Sequence, residues 1–215
     1  MDNILVYSDS ISWGIIPNTR KRLSFDDRWP GVMEKILLEK GKSVRIIENC
    51  LNGRRTVWSD PFRAGRDGSE GLAQVIEMHS PLKLVILMLG NNDFQCTHDN
   101  SVALSGQGIV KLINIIRQAP IEPGMPIPQI MVVAPPKLKP VKGAVAYKFE
   151  GAVERSLGLA AEYAIIAKAY QTLYFDANTV VEMSDIDGLH LDKDSHAILG
   201  KALANRVSAS VLAKS

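Results

Sequence analysis

The chain has 215 residues, 46% of them apolar and 22% charged, which is long enough for a sizeable core and too apolar for a disordered segment. With 25 basic residues against 23 acidic ones, the net charge of +2 gives no basic footprint for a nucleic acid. Cys50 and Cys96 are far apart and lack the paired spacing of a zinc site or a disulfide scaffold, so both read as free thiols with no metal between them.

The chain opens Met1-Asp2-Asn3 without a basic flank, and its apolar run Ile4–Tyr7 is too short for a signal peptide or a membrane span. A soluble, cytoplasmic protein with no membrane partner is expected. Ile4–Tyr7 instead reads as a first strand, followed by a long loop and a helix over Pro30–Lys40, with Pro30 in its first turn and Gly41 as its stop. A second strand, Val44–Glu48, leads through a polar loop to a helix at Ser69–Met78. Leu84–Leu89 is apolar at every position, the pattern of a central strand covered on both faces. A helix at Ser101–Gln118 follows, then Pro120, Pro123, Pro126 and Pro128 as a stiff surface connection, then a fourth strand at Ile130–Ala134. Val145–Lys168 carries helical periodicity throughout, and Leu173–Asp176 is the fifth strand. In the last helix, Asp194–Leu212, the side chains of Leu199, Leu203, Val207 and Val211 share one stripe, with Asp192 or Asp194 as the cap. This alternation predicts an α/β fold: a three-layer α/β/α sandwich around a central five-stranded parallel sheet, in one domain spanning residues 1–215.

In open parallel sheets, ligands sit beyond the carboxyl ends of the strands, which directs attention to the loops after the first, second and third strands. Ser8-Asp9-Ser10-Ile11-Ser12-Trp13-Gly14 follows the first strand, and a serine there is a candidate nucleophile only if a base takes its proton. Of the four histidines, His79 lies where a helix ends and complements its dipole, His98 reads as a surface residue, and His196 is expected to be solvated in the first turn of the last helix. His190 differs. In Asp187-Gly188-Leu189-His190 the spacing, with Gly188 permitting a tight bend, can bring the Asp187 carboxylate to one imidazole nitrogen and leave the other facing the crevice. The same four residues also suit a helix-start turn with a capping aspartate. Negative charge developing on an acyl oxygen needs donors, and Gly53 and Asn92 lie at suitable strand ends. Each alone is an ordinary loop residue.

Ser10, Gly53, Asn92 and His190 each fall just beyond a predicted strand, and in this joint order the chain resembles the SGNH hydrolases, the GDSL esterase/lipase family, from about residue 4 to residue 212. The resemblance implies a flavodoxin-like fold with Ser10 as nucleophile, His190 as base and Asp187 as its orienting carboxylate. Ser10, Gly53 and Asn92 would then form the oxyanion hole. Trp13-Gly14, Asp27-Arg28-Trp29-Pro30-Gly31-Val32 and the Asp187–His190 block are similar to a bacterial arylesterase branch that includes an acyltransferase/perhydrolase. That branch implies short-chain acyl or aryl esters as substrates, acyl transfer to water, alcohols or peroxide, no metal or cofactor, and a homo-oligomer. A carbohydrate O-acetyl esterase is the alternative within the fold. Asp9, Trp13 and Arg54 are expected around the substrate pocket.

The sequence departs from the family pattern at Ser8, where glycine is usual; if glycine serves a strained backbone angle there, serine costs about 1–2 kcal/mol. Cys50 and Arg55 replace the branch's usual Gly and Thr beside Gly53 and are expected to reshape the pocket. Two readings from other classes stay open. A flavodoxin-like module binding a flavin phosphate would explain the Ser-rich first loop but neither Asn92 nor the Asp187/His190 pair. A catalytically inactive homologue would explain Ser8. A phosphate-binding loop is absent, and Lys137, Lys139 and Lys142 read as a solvated loop.

Overall fold

The computed structural model describes residues 1–213. Five strands, β1 (Asp2–Ser8), β2 (Val44–Cys50), β3 (Leu84–Met88), β4 (Gln129–Ala134) and β5 (Leu173–Asp176), form one parallel sheet in the order β2-β1-β3-β4-β5. Each lies within two residues of its predicted bounds. Side chains alternate across β1: Ile4 and Val6 enter one core, Leu5 and Tyr7 the other. Every residue of β3 is buried, because helices cover both faces of the sheet there, which is why its sequence carries no polar alternation.

The helices are α1 (Ser10–Trp13), α2 (Trp29–Glu39), α3 (Leu72–His79), α4 (Val102–Arg117), α5 (Ala152–Arg155), α6 (Leu159–Ala169) and α7 (Lys193–Ser210). Trp29, Met33 and Leu37 of α2 pack with Leu199, Leu203 and Val207 of α7 on one face of the sheet. Leu72 and Ile76 of α3, Ile109 and Leu112 of α4, and Tyr163 of α6 cover the other. The result is the three-layer α/β/α sandwich that the alternation implied. Among the described residues no helix is long and apolar enough to cross a membrane. Strand order reverses between β2-β1 and β1-β3, so the chain leaves the carboxyl ends of β1 and β3 in different directions and opens a crevice between their loops.

Several expectations fail. The helical period over Val145–Lys168 is divided into a 3-10 turn at Gly143–Phe149, then α5, then α6. Gly151 and Gly158, at φ +67 and +94, precede the two helices in left-handed conformations that an α-helix cannot contain. The periodicity persisted because Phe149, Ala152, Leu159, Tyr163 and Ile166 all bury against the same core.

The second failure is His196, which is fully buried rather than solvated. Docking of α7 on α2 brings the two helix starts together, and His196 Nδ1 accepts the otherwise unpaired N–H of Trp29 at 3.2 Å. That bond places the ring proton on Nε2, which has no partner among the described residues. Burial, reinforced by the charges of His190 and Arg28, lowers the His196 pKa to about 4. Asp192 does precede α7, yet its carboxylate accepts from the Ser184 hydroxyl instead of capping the helix.

His196 must stay neutral in the fold but charges readily once unfolded, so its stabilising effect is present above about pH 6.5 and is lost as pH falls toward 4. Urea unfolding of the wild type and of His196→Gln between pH 7 and pH 4 should show the wild type losing about 3 kcal/mol more than the variant, since groups common to both cancel. Parallel curves would remove His196 as the acid-sensitive group.

Candidate active site

β1 delivers the chain to Asp9, whose carboxylate accepts the Ile11 N–H at 2.9 Å and so caps α1, a single turn closed by Gly14 at φ +84. This turn presents the Ser10 hydroxyl at the edge of the sheet. Ser8, in the glycine position, ends the extended β1 and is absent from the positive-φ residues, so the strain raised by the sequence does not arise. Its hydroxyl donates to the Met88 carbonyl at 2.7 Å and accepts from Ser12 at 2.6 Å; Ser12 in turn accepts the Trp29 indole N–H at 3.0 Å. The serine therefore ties the loop after β1 to the end of β3 and to α2.

His190 Nε2 lies 3.1 Å from Ser10 Oγ, and its Nδ1 lies 2.8 Å from Asp187 Oδ2. All three side chains are buried. Asp187 also accepts the N–H groups of Asn18, Leu189 and His190. Burial pushes its carboxyl pKa up, but the His190 hydrogen bond and charge, with the Leu189 and Asn18 N–H groups, outweigh that and hold it well below the usual carboxylate range. Gly188 is required by space as well as by its φ of +72, because a Cβ there would lie 2.5 Å from the Pro140 carbonyl oxygen.

After β3, a 3-10 turn at Asn91–Phe94 carries Asn92. Its Nδ2 donates to Asp9 at 2.8 Å and its Oδ1 accepts from Gln95 at 2.8 Å, which sets the amide's orientation and leaves one N–H uncommitted. Gln95 accepts in turn from Arg55, which is fully buried and also donates to Thr97 and to the Ser59 carbonyl. Asp93 holds the next loop: it accepts from the Thr56 N–H, the Thr56 hydroxyl and the Ser105 hydroxyl at 2.6–2.8 Å. Thr56 closes the loop that carries Gly53, which sits at φ +80. Burial raises the pKa of both Asp9 and Asp93 to about 6 against these hydrogen bonds.

Ser10, Gly53, Asn92 and His190 converge on one cavity of about 60 Å³, walled by Ile15 and Leu189 among others. The expected pocket residues Asp9, Trp13 and Arg54 do not line it. Asp9 is buried beneath, as the cap of α1. The Arg54 guanidinium turns inward to the Ser8 and Asn49 carbonyls and stacks 4.0 Å from the Tyr7 ring. Trp13 instead carries the Arg22 guanidinium at 4.7 Å. Cys50 and Arg55 also stay outside the cavity, so Arg55 reaches it only through Gln95. Sequence reasoning missed Gln95, Asp93 and the Ser8–Ser12–Trp29 relay; a polar run directly after the apolar β3 was the available signal for Asp93. Among the described residues no cluster of three His, Cys, Asp or Glu side chains could hold a metal ion. A larger cavity of about 430 Å³, beside α6 and β5, is lined by Asn91, Tyr174 and Asp176 and contains no histidine.

An α/β/α sandwich with serine, histidine and aspartate hydrogen-bonded in series at the switch point of its sheet defines a class of acyl hydrolases. The chain belongs to the GDSL-like lipase/acylhydrolase family, whose model matches residues 9–198. Its structure is similar to that of an aryl esterase from M. smegmatis, solved in an inhibitor-bound form, at 30% identity and a TM-score of 0.92, covering 97% of this chain and 99% of that one. It is also similar to a carbohydrate acetylesterase from Sinorhizobium meliloti, at 32% identity and a TM-score of 0.91, with coverage of 97% and 99%. A lipase/acylhydrolase from Enterococcus faecalis shares the fold at 17% identity and a TM-score of 0.69, covering 97% and 96%. No curated protein matches the sequence.

Because Ser8 bonds two partners without strain, Ser8→Gly should destabilise the protein, by about 2 kcal/mol from the lost hydrogen bonds and the looser backbone. Denaturant unfolding measures this. A gain in stability would show that the family's usual glycine relieves strain at this position.

Proposed function

We propose that the chain is a serine esterase that cleaves short-chain acyl esters through an acyl-enzyme. The observation that carries this reading is the unbroken relay from Asp187 through His190 to Ser10, ending in a cavity that Gly53 and Asn92 also line. Ser10 Oγ attacks the acyl carbon while His190 Nε2 accepts its proton. Asp187, held ionised, keeps the imidazole in the tautomer with hydrogen on Nδ1 and stabilises the imidazolium that forms. The oxyanion receives the Ser10 and Gly53 N–H groups, neither of which donates to another group among the described residues, and the free N–H of Asn92. His190 then protonates the leaving alcohol, and water, another alcohol or peroxide discharges the acyl group. Residues 10 through 190 contribute to this one site, so residues 1–215 act as a single catalytic domain.

Cavity size supports a small acyl group. At about 60 Å³ the cavity is much smaller than the recess of about 330 Å³ beside it, which suits an acetyl group better than a long acyl chain. Similarity to an aryl esterase and to a carbohydrate acetylesterase points the same way. The latter favours an acetylated sugar as the alternative to an aryl ester.

Ser10→Ala should reduce turnover of 4-nitrophenyl acetate by about four orders of magnitude or more, and Asp187→Asn by about three to four, with both proteins folded. Unchanged activity in Ser10→Ala, or no fluorophosphonate adduct on Ser10 in the wild type, would sink the serine-esterase reading. In a series of 4-nitrophenyl esters, kcat/KM should fall at least about tenfold from acetate to octanoate, since a few methylenes that cannot be buried or accommodated are enough for that ratio. A rate that rises with acyl length would exclude the small cavity as the acyl site.

A further inference from the structure

The mouth of the cavity carries an unbalanced charge. Arg20, Arg63 and Lys148 line it with a single acidic side chain, Asp60. Asp60 is already engaged, accepting the Phe62 N–H at 2.9 Å and facing the buried Arg55 guanidinium at 3.9 Å. By contrast, the side chains of Arg20, Arg63 and Lys148 form no hydrogen bond or ion pair among the described residues; Lys148 only approaches the Tyr147 ring, at 5.9 Å. Nearby arginines show what structural use looks like here. Arg28 is bidentate to Glu48, Arg54 donates to two carbonyls, and Arg55 donates to Gln95 and Thr97. The fold therefore uses these three arginines, whereas among the described residues the three cations at the mouth have no hydrogen bond or ion pair.

Arg63 has a second distinction. A Cβ built on Gly53 would lie 3.4 Å from its Nη1, so the guanidinium extends beside the backbone that faces the reacting carbonyl. Lys148 connects the small cavity to a neighbouring recess of about 330 Å³, with Asp60 and Gln95 common to both. Phe62 and Tyr147 form part of that recess and are 79% and 69% exposed. The small cavity takes the acyl group, which leaves this larger, aromatic-walled recess for the alcohol part.

We infer that the preferred substrate is an acyl ester of a ring alcohol that carries a carboxylate. The ring enters the recess lined by Phe62 and Tyr147, and its carboxylate is drawn by Lys148, which lines both cavities, and by the field of Arg63 and Arg20 on the acyl side. This rests on the serine-esterase reading and adds the identity of the leaving group. In the step itself, the bond from Ser10 Oγ to the acyl carbon forms and the bond from that carbon to the ring oxygen breaks. The Ser10 proton passes through His190 to that oxygen, and the alcohol departs with its carboxylate still charged.

The test compares kcat/KM for 4-acetoxybenzoate with that for its neutral methyl ester, each divided by its hydroxide-catalysed rate to remove intrinsic reactivity. At about 0.02 M salt the wild type should prefer the anion on the order of tenfold, and the preference should shrink toward unity at about 0.5 M, where screening is strong. Arg63→Gln and Lys148→Gln should each cut the anion-to-neutral ratio about twofold to threefold at low salt, as expected for partly exposed charges. The ratio is taken within one protein, so a loss of folded fraction does not alter it, and the salt series needs no variant. Turnover of the neutral ester with no anion preference, or a preference that neither salt nor the substitutions change, overturns this inference and leaves the esterase reading standing. If neither ester is turned over, the esterase reading falls and this inference with it.

Discussion

Three buried carboxylates organise the site, because a charge taken out of water at the end of a strand must be surrounded by donors. Asp9 recruits the Ile11 N–H, which winds α1 under Ser10, and the Asn92 amide, which spans from the loop after β3. Asp93 recruits Thr56 and Ser105 and so fixes the loop that carries Gly53 relative to the loop that carries Asn92. Asp187 recruits Asn18, Leu189 and His190. The geometry of the cleft follows from satisfying these three groups, and the oxyanion donors are positioned by the same bonds that make the burial tolerable.

The three differ in their electrostatics. Asp9 and Asp93 lose more to burial than their donors restore, which raises both pKa values to about 6. Asp187 gains more from His190 and its backbone donors than it loses, and stays firmly ionised. That difference suits their positions. The carboxylate facing the base has to keep its charge as a proton moves, whereas the other two serve chiefly as acceptors.

Departures from the family pattern read differently once their neighbours are known. Ser8 is a connector between β1, β3 and α2, since its hydroxyl meets Met88 and Ser12. Arg55 stands behind the Asn92 amide through Gln95. Neither side chain lines the cavity. The positive charge that does reach it, from Arg20, Arg63 and Lys148, lies on side chains that no motif singled out.

Sequence alone determined the five strands and the layered α/β arrangement, because each depends on residues close together in the chain, and the blocks holding Ser10, Gly53, Asn92, Asp187 and His190 were legible through their joint order at the strand ends. The Asp187–His190 bend is local, and the unbroken apolar run Leu84–Leu89 declares the burial of β3. Local pattern misled where a distant partner decided. The period of Val145–Lys168 hid two left-handed glycines, and polar His196 was drawn inside by the start of α2, 167 residues away. Trp13 and Arg54 sit beside the right motifs yet face other partners. Only the tertiary structure brought Ser10 to His190 across 180 residues and Asn92 to Asp9 across 83, and only it showed which charges were left without partners. Periodicity reports which face of an element is buried; the partner of a buried polar group depends on the whole chain closing around it.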